Sequence, residues 1–252
     1  MVDWRIIHTS VTASTNEDAA KGAHGDVFTA DFQTAGRGRG DHVWEGEKNA
    51  ALMMSAVLAV DGCSPMHVAT FPLVAGLATM EGLKRLAGSS ILSDIGIKWP
   101  NDVLCGGRKV AGLLCRREDD RIVVGIGVNV RQKSFPKEIA ERAVSLAMLG
   151  IDASIEDARD AILEALSPLY GEWLESGASG GTELPRTVME RLAAADLLKG
   201  RRISVVGTDV ERRLVEGVAG GISPDGALIV DGEKIYSGEA VAFAEMKGVR
   251  RG

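Results

Sequence analysis

The sequence predicts an α/β main domain followed by a small β-barrel. Three observations carry that reading. Up to Leu198, short apolar runs such as Ala50–Val60 and the β-branched Arg121–Val130 alternate with longer segments of helical period such as Met66–Leu86 and Ser154–Glu175. After Gly200 the texture changes to short strands, Ile203–Val206, Arg213–Val218, Ala227–Val230, Lys234–Tyr236 and Ala240–Phe243, separated by Gly, Asp and Pro turns. The length of 252 residues suits one large domain with an appendage, here residues 1–198 and 199–252.

Composition excludes several classes. An apolar fraction of 45% and a charged fraction of 25% are ordinary for a globular chain. A formal net charge of −6 provides no overall basic field to recruit nucleic acid or an anionic membrane. The longest apolar runs are too short to span a bilayer, and Met1–Ile7 lacks the basic-then-apolar order of a signal peptide. Three cysteines, Cys63, Cys105 and Cys115, match neither a disulfide framework nor a zinc site, and the four histidines form no metal-type pair. A reducing, cytoplasmic setting is expected.

In chain order, Trp4–His8 reads as a first strand. Ser14…Glu17 and Thr15…Asp18 both match a capping box, so a helix is expected from there to about Gly22. Ser14 and Thr15 either cap that helix or grip a polar ligand at its start. Asp26–Thr34 alternates as a strand and runs into Ala35-Gly36-Arg37-Gly38-Arg39-Gly40, a mobile cationic loop closed by Trp44. Ala50–Val60 is a buried strand, and Met66–Leu86 a helix stopped by Gly88. Ile91–Trp99 is a strand ended by Pro100, with Lys98 at its stiff end. Val103–Cys105 and Lys109–Cys115 form a hairpin across Gly106-Gly107. Arg121–Val130 is a central strand. Its internal Gly125 and Gly127 fit a wall that something approaches closely, and Asn129 at its end suits either an amide or base edge or a turn cap. Ser154–Glu175 is a helix with Ser154 as N-cap, Ser176–Thr182 a loop, and Thr187–Leu198 a third helix ended by Gly200.

Four ordered motifs together carry a resemblance. They are Gly36-Arg37-Gly38-Arg39 with Trp44, Lys98-Trp99-Pro100-Asn101-Asp102, Arg108-Lys109-Val110-Ala111-Gly112 and Gly125-Ile126-Gly127-Val128-Asn129. With Ser14-Thr15-Asn16 and Gln33 before them, and Gly226-Ala227-Leu228 and Ser237-Gly238-Glu239 after them, they resemble biotin protein ligases over essentially the whole chain. The resemblance implies an α+β fold, a mixed sheet flanked by helices of the class II synthetase-like kind, followed by an SH3-like barrel. It implies that biotin and ATP are the substrates, that biotinyl-5′-AMP is the intermediate, and that the acyl group passes to a lysine of a biotin carboxyl carrier protein, an acetyl-CoA carboxylase subunit. Mg²⁺ is expected with ATP, with no carboxylate cluster singled out as its ligand.

By the same resemblance, Ser14, Thr15, Asn16, Gln33, Gly36, Arg37, Gly38, Arg39, Lys98 and Gly112 hold biotin. Arg37, Arg39, Trp44, Lys98, Asn101 and Asn129 hold ATP or the adenylate, with Asn129 on adenine. Lys98, Arg37 and Arg39 are the expected catalytic residues. Two stretches depart from the pattern: Gly40-Asp41-His42-Val43 stands where many relatives carry another Gly-Arg pair, and Glu45–Asn49 where relatives show Ser-Pro and Gly-Asn. Thirteen residues before Ser14 are too few for the helix-turn-helix domain of some members, so a ligase without repressor function is expected. A monomer or homodimer with no nucleic-acid or membrane partner completes the expectation. A lipoate- or octanoate-transferring enzyme of the same superfamily is the nearest alternative; a non-catalytic nucleic-acid module is remote.

Overall fold

The computed structural model describes residues 1–40, 42–87, 94–207 and 213–242. The expected helix stop at Gly88, the start of the Ile91–Trp99 strand, Asp41 and Phe243 lie outside them. A seven-stranded sheet has the order β1-β2-β3-β7-β6-β5-β4. Its strands are β1 (Arg5–Thr12), β2 (Asp26–Gln33), β3 (Ala51–Ala59), β4 (Ile95–Lys98), β5 (Asp102–Cys105), β6 (Arg108–Glu118) and β7 (Arg121–Asn129). The β1–β2 pair is parallel and the other pairs are antiparallel, so the sheet is mixed, as expected. A second, five-stranded antiparallel sheet follows, with the order β11-β10-β9-β8-β12. It is built from β8 (Arg202–Val206), β9 (Leu214–Ile222), β10 (Leu228–Val230), β11 (Glu233–Ile235) and β12 (Glu239–Ala242), consistent with an SH3-like unit.

Side-chain parity on β7 explains how the two sheet faces differ. Val124, Ile126 and Val128 join the main core beneath helices α3 (Phe71–Ala87) and α4 (Ile155–Ala178). Val123, on the opposite face, packs instead with Val57 and Ala19 of the short helix α1 (Thr15–Ala19). Continuing along that second face come Gly125, Gly127 and Asn129. The helix layer is close-packed: a Cβ on Gly82 would lie 2.7 Å from the Ala161 carbonyl of α4.

Several element ends differ from the sequence pattern, each for a local reason. Met66–Leu86 is two helices, α2 (Pro65–Val68) and α3, because Pro72 has no N–H to continue the ladder and Thr70 Oγ1 instead donates to the His67 carbonyl at 2.7 Å. The two capping boxes at α1 do not form. Ser14 is the N-cap residue but makes no side-chain cap bond, and the Thr15 hydroxyl turns to Gln33 and Ser55. At α4 the box does form, between Ser154 and Asp157, and the helix runs past Glu175 to Ala178, carrying Pro168 inside it. The third long helix, α5 (Arg186–Ala195), stops short of Leu198 because Asp196 and Leu197 pair with β4, the Leu197 N–H donating to the Ile97 carbonyl at 3.0 Å. The Gly106-Gly107 hairpin is as expected, both residues taking left-handed φ values of 56° and 76°. The cysteines are free.

Between α2 and α4 lies an aromatic cluster. His67 stacks on Trp173 at a centroid separation of 4.5 Å, and Phe71 meets the same indole edge-on at 4.7 Å. His67 is fully buried, with Nε2 donating to the Trp173 carbonyl at 2.8 Å. Burial lowers its pKa from the ordinary 6.5, so the folded protein holds it neutral. Below that ordinary value the unfolded chain binds a proton that the folded chain refuses, and stability therefore falls with falling pH. Urea midpoints measured between pH 7.5 and 5 should drop for the wild type and drop less for His67→Phe. Parallel pH profiles for the two proteins would refute this role.

Candidate functional site: a glycine floor on the central sheet

The register of β6 against β7 sets Gly112 opposite Gly127 and Leu114 opposite Gly125. Directly opposed residues of an antiparallel pair share a face. The three glycines therefore leave a bare floor on the α1 side of the sheet. None of them has φ in the left-handed region, so space rather than backbone freedom requires glycine. A Cβ on Gly125 would lie 2.3 Å from Asn16 Nδ2, and one on Gly127 would lie 2.4 Å from the Trp44 ring. One on Gly112 would meet Lys109 at 2.7 Å and Trp44 at 3.1 Å.

The same register extends the row across the sheet. Gly127 pairs with Gly112, Gly112 with Asp102, and Asp102 with Lys98. Lys98 and Asp102 thus share the face of the floor, with Lys98 half-buried at the end of β4. Trp99 fixes that strand end: it is 2% exposed, and its indole N–H donates to the Gly226 carbonyl of the second sheet's turn at 3.0 Å. Asp102 receives Lys109 Nζ at 2.7 Å, and the same ammonium lies 5.7 Å above the Trp44 ring. A register shift between Val103 and Leu104 swings Lys109 onto this face.

At the Gly125 end sits a neutral polar cluster. Thr15 donates to Gln33 Oε1 from its backbone N–H at 2.7 Å and from its hydroxyl at 3.0 Å; its hydroxyl also lies 2.8 Å from Ser55 Oγ. Ser14 and Thr15 are buried, and Asn16 lies against Gly125. The cationic loop folds over the middle of the floor as a small hairpin rather than an open loop. Trp44 N–H donates to Gly36 at 3.1 Å, Gly38 N–H to His42 at 2.7 Å, and Arg37 bridges Val43. Arg37 pairs with Glu17 at 2.8 Å. Arg39 donates to the Gly238 carbonyl of the second sheet at 3.1 Å, and His42 lies 3.5 Å from Glu239. Burial lowers the Arg39 pKa, opposed by Asp102 and Glu239.

The structure thus gathers Ser14, Thr15, Asn16, Gln33, Gly36, Gly38, Arg39, Trp44, Lys98 and Gly112 around one floor, with Arg37 at its margin. Two expected nucleotide contacts are engaged internally. Asn101 Nδ2 donates to the Leu113 carbonyl at 2.7 Å. Asn129 Nδ2 donates to the carbonyls of Lys109 and Val144, and its Oδ1 accepts from Gln132. Sequence pattern alone did not mark Lys109, Asp102, Ser55 or Gln132 as site residues. Lys109 and Asp102 stood inside quoted motifs, but Ser55 and Gln132 carried no signal.

Two buried polar atoms on side chains that rest on the floor have no partner, Asn16 Oδ1 and Trp44 Nε1; Gln132 Oε1, beside Asn129, is a third. Leaving such atoms unpaired costs about 1–3 kcal/mol each, which a protein tolerates where a ligand completes the set. No group of three or more His, Cys, Asp or Glu residues that could hold a metal occurs among the described residues. Open clefts beside His8 and Arg159 and beside Val11 and Phe28 lie elsewhere.

Gly127→Ala should displace the Trp44 indole with little change in the sheet. Acrylamide quenching, compared with Trp44→Phe as the blank, should show Trp44 several-fold more accessible; unchanged quenching would mean the ring does not rest on Gly127.

Residues 7–151 match the model of the biotin/lipoate A/B protein ligase family. The chain is 30% identical over 256 residues to the bifunctional ligase/repressor BirA of Bacillus spizizenii, covering 93% of this chain and 73% of that one. It is 31% identical over 231 residues to the biotin--[acetyl-CoA-carboxylase] ligase of Paracoccus denitrificans, covering 88% and 92%. Its fold superposes on a biotin protein ligase from Aquifex aeolicus, solved in complex with biotin and ATP, at TM-score 0.77 and 26% identity, covering 94% and 97%. The chain belongs to the biotin/lipoate A/B protein ligase family.

Proposed function

We propose that the chain activates biotin with ATP to biotinyl-5′-AMP and transfers the acyl group to a lysine of a biotin carboxyl carrier protein. The observation that carries this reading is the glycine floor, with a neutral polar cluster at one end and a row that leads from its middle through Asp102 to Lys98. Relatives named as biotin--[acetyl-CoA-carboxylase] ligases, and a neighbour solved with biotin and ATP, point the same way. On the same reading residues 1–198 form the catalytic unit, residues 199–252 the barrel, and the acceptor is the carrier domain of acetyl-CoA carboxylase.

Biotin's urea is neutral, so its pocket needs hydroxyls and amides rather than charges. Thr15, Ser55, Gln33 and the unpartnered Asn16 Oδ1 offer that set beside Gly125. A lipoate dithiolane ring has no N–H to use Asn16 Oδ1, which favours biotin over the lipoyl alternative.

The carboxylate must attack the α-phosphorus while pyrophosphate leaves. Two anions approach one another, and a fixed cation between them offsets their repulsion and stabilises charge on the phosphoryl oxygens. We assign that position to Lys98, which shares the face of the floor through the ladder of Asp102, Gly112 and Gly127. The bare glycines let Asn16, Trp44 and Lys109 lie directly on the sheet, so that these side chains form the surface a ligand would meet. The adenylate is a mixed anhydride that water destroys. The hairpin of Arg37 and Arg39, latched to the barrel through Gly238, excludes water until the acceptor lysine attacks the acyl carbon and AMP departs. Asn101 and Asn129 act here by holding β6 and the Val144 segment in place, and an adenine contact by Asn129 would require it to exchange a present bond.

Lys98→Ala should fold normally and slow biotin-dependent pyrophosphate release by roughly 10²-fold or more. A near wild-type rate would remove Lys98 from its central role. In the same assay, release faster with lipoate than with biotin would favour the lipoyl alternative.

A further inference from the structure

We propose that Glu17 is a positioning residue that latches Arg37 to α1, keeps the hairpin shut over the floor and so lengthens the stay of the adenylate. The proposal rests on the ligase reading above and deepens it. Glu17 lies outside the four motifs that carry the resemblance.

The hairpin has little of its own to keep it closed. Gly36 and Gly38 bring no side chains, and Val43 is 67% exposed. Its internal bonds, from Trp44 N–H to Gly36 and from Gly38 N–H to His42, hold its two arms together but do not hold it to the floor. That task falls to Trp44, which rests on Gly127, and to two arginines that reach different units. Arg39 donates to the Gly238 carbonyl of the second sheet. Arg37 Nη2 lies 2.8 Å from Glu17 Oε1 on α1. Cutting that tie leaves the barrel side and the Trp44 ring to hold the hairpin.

Helix α1 can serve as a fixed post because its other residues are anchored. Ala19 is fully buried against Val57 and Val123. Thr15 is bound to Gln33 and Ser55, Asn16 lies on Gly125, and the Glu17 N–H donates to the Ser14 carbonyl at 3.0 Å. The residues just before Glu17 thus belong to the neutral cluster, and Glu17 connects that cluster to the lid. A urea N–H that pairs with Asn16 Oδ1 stiffens the post to which Arg37 is tied.

The size of the effect follows from exposure. Glu17 and Arg37 are 44% and 64% exposed, so their ion pair is screened by solvent and moves an equilibrium by only about 2- to 5-fold. That is too little to decide the fold and enough to bias a lid that opens and closes. The adenylate escapes from the open position, so its rate of loss scales with the open fraction. With the lid still mostly closed, the bond-forming step itself changes little.

The test is the lifetime of the enzyme-bound adenylate. The protein is mixed with biotin and ATP, free small molecules are removed, and loss of bound biotinyl-AMP is followed under a biotin chase. Glu17→Gln keeps the size and removes the charge. It should shorten the lifetime about 2- to 5-fold, raise labelling of a bystander protein by the same factor, and leave the single-turnover rate of adenylate formation within about 2-fold of wild type. In an Arg37→Gln background the same substitution should change nothing further, as for coupled partners. Raising NaCl from about 0.05 M to about 0.5 M should shorten the wild-type lifetime more than that of Glu17→Gln. A packing role for Glu17 would leave the two salt responses alike and would add to Arg37→Gln; either result overturns the proposal. So does an unchanged lifetime, or a longer one, which would mean that Glu17 competes with the ligand for Arg37. A wild type that forms no biotinyl-AMP from biotin and ATP would instead sink the ligase reading, and this proposal with it.

Discussion

The pairing of Gly112 with Gly127 is the constraint on which the site depends. Strand β7 is otherwise packed on both faces, with Ile126 and Val128 under the helices and Val123 against α1. Two opposed glycines make room in the middle of the sheet for the Trp44 ring and the Lys109 chain to rest on its backbone. Because strand side chains alternate, a slip of one residue would bring Leu113 and Ile126 onto that face and fill it. The apolar pattern of β6 and β7 therefore stabilises the fold and fixes the register of the floor together. Asp102 and Lys98 reach the same face through the same ladder.

The second sheet closes the arrangement from the side. It accepts a hydrogen bond from Trp99 at Gly226 and from Arg39 at Gly238, and Glu239 lies beside His42. Trp99 is one residue past Lys98, and Arg39 lies on the hairpin that covers the floor. Both segments are thus tied to a unit more than a hundred residues later in the chain. Exposed ion pairs such as His42 with Glu239 contribute little individually. The bonds of Arg39 and Trp99 to backbone carbonyls are half-buried, and they define position more than they add stability.

Polar atoms left without partners are costly, and here two, Asn16 Oδ1 and Trp44 Nε1, belong to side chains resting on the floor glycines. Sequences that satisfy local rules elsewhere tend to break them where a ligand completes the chemistry. The aromatic cluster of His67, Phe71 and Trp173 shows the contrasting case: His67 is buried for packing and kept neutral by its surroundings.

The sequence by itself determined the strand and helix segments, the Gly106-Gly107 turn, the change of texture after Gly200 and the motifs that mark the family. These are local: they follow from the period of apolar residues, from turn chemistry and from glycine and proline placement. It misplaced the capping of α1, because Thr15 found Gln33 and Ser55, partners 18 and 40 residues away, more favourable than its own helix end. It joined α2 to α3 although Pro72 already carried the signal to part them. Tertiary structure alone decided which glycines form the floor, since that depends on cross-strand register. It also decided that Asn101 and Asn129 hold backbone carbonyls, that a bulge turns Lys109 to Asp102 and Trp44, and that Gln132 ends a chain of fixed donors and acceptors. Hydrogen-bond polarity is a property of partners in space, and no spacing in the sequence encodes which end of an amide will be left free.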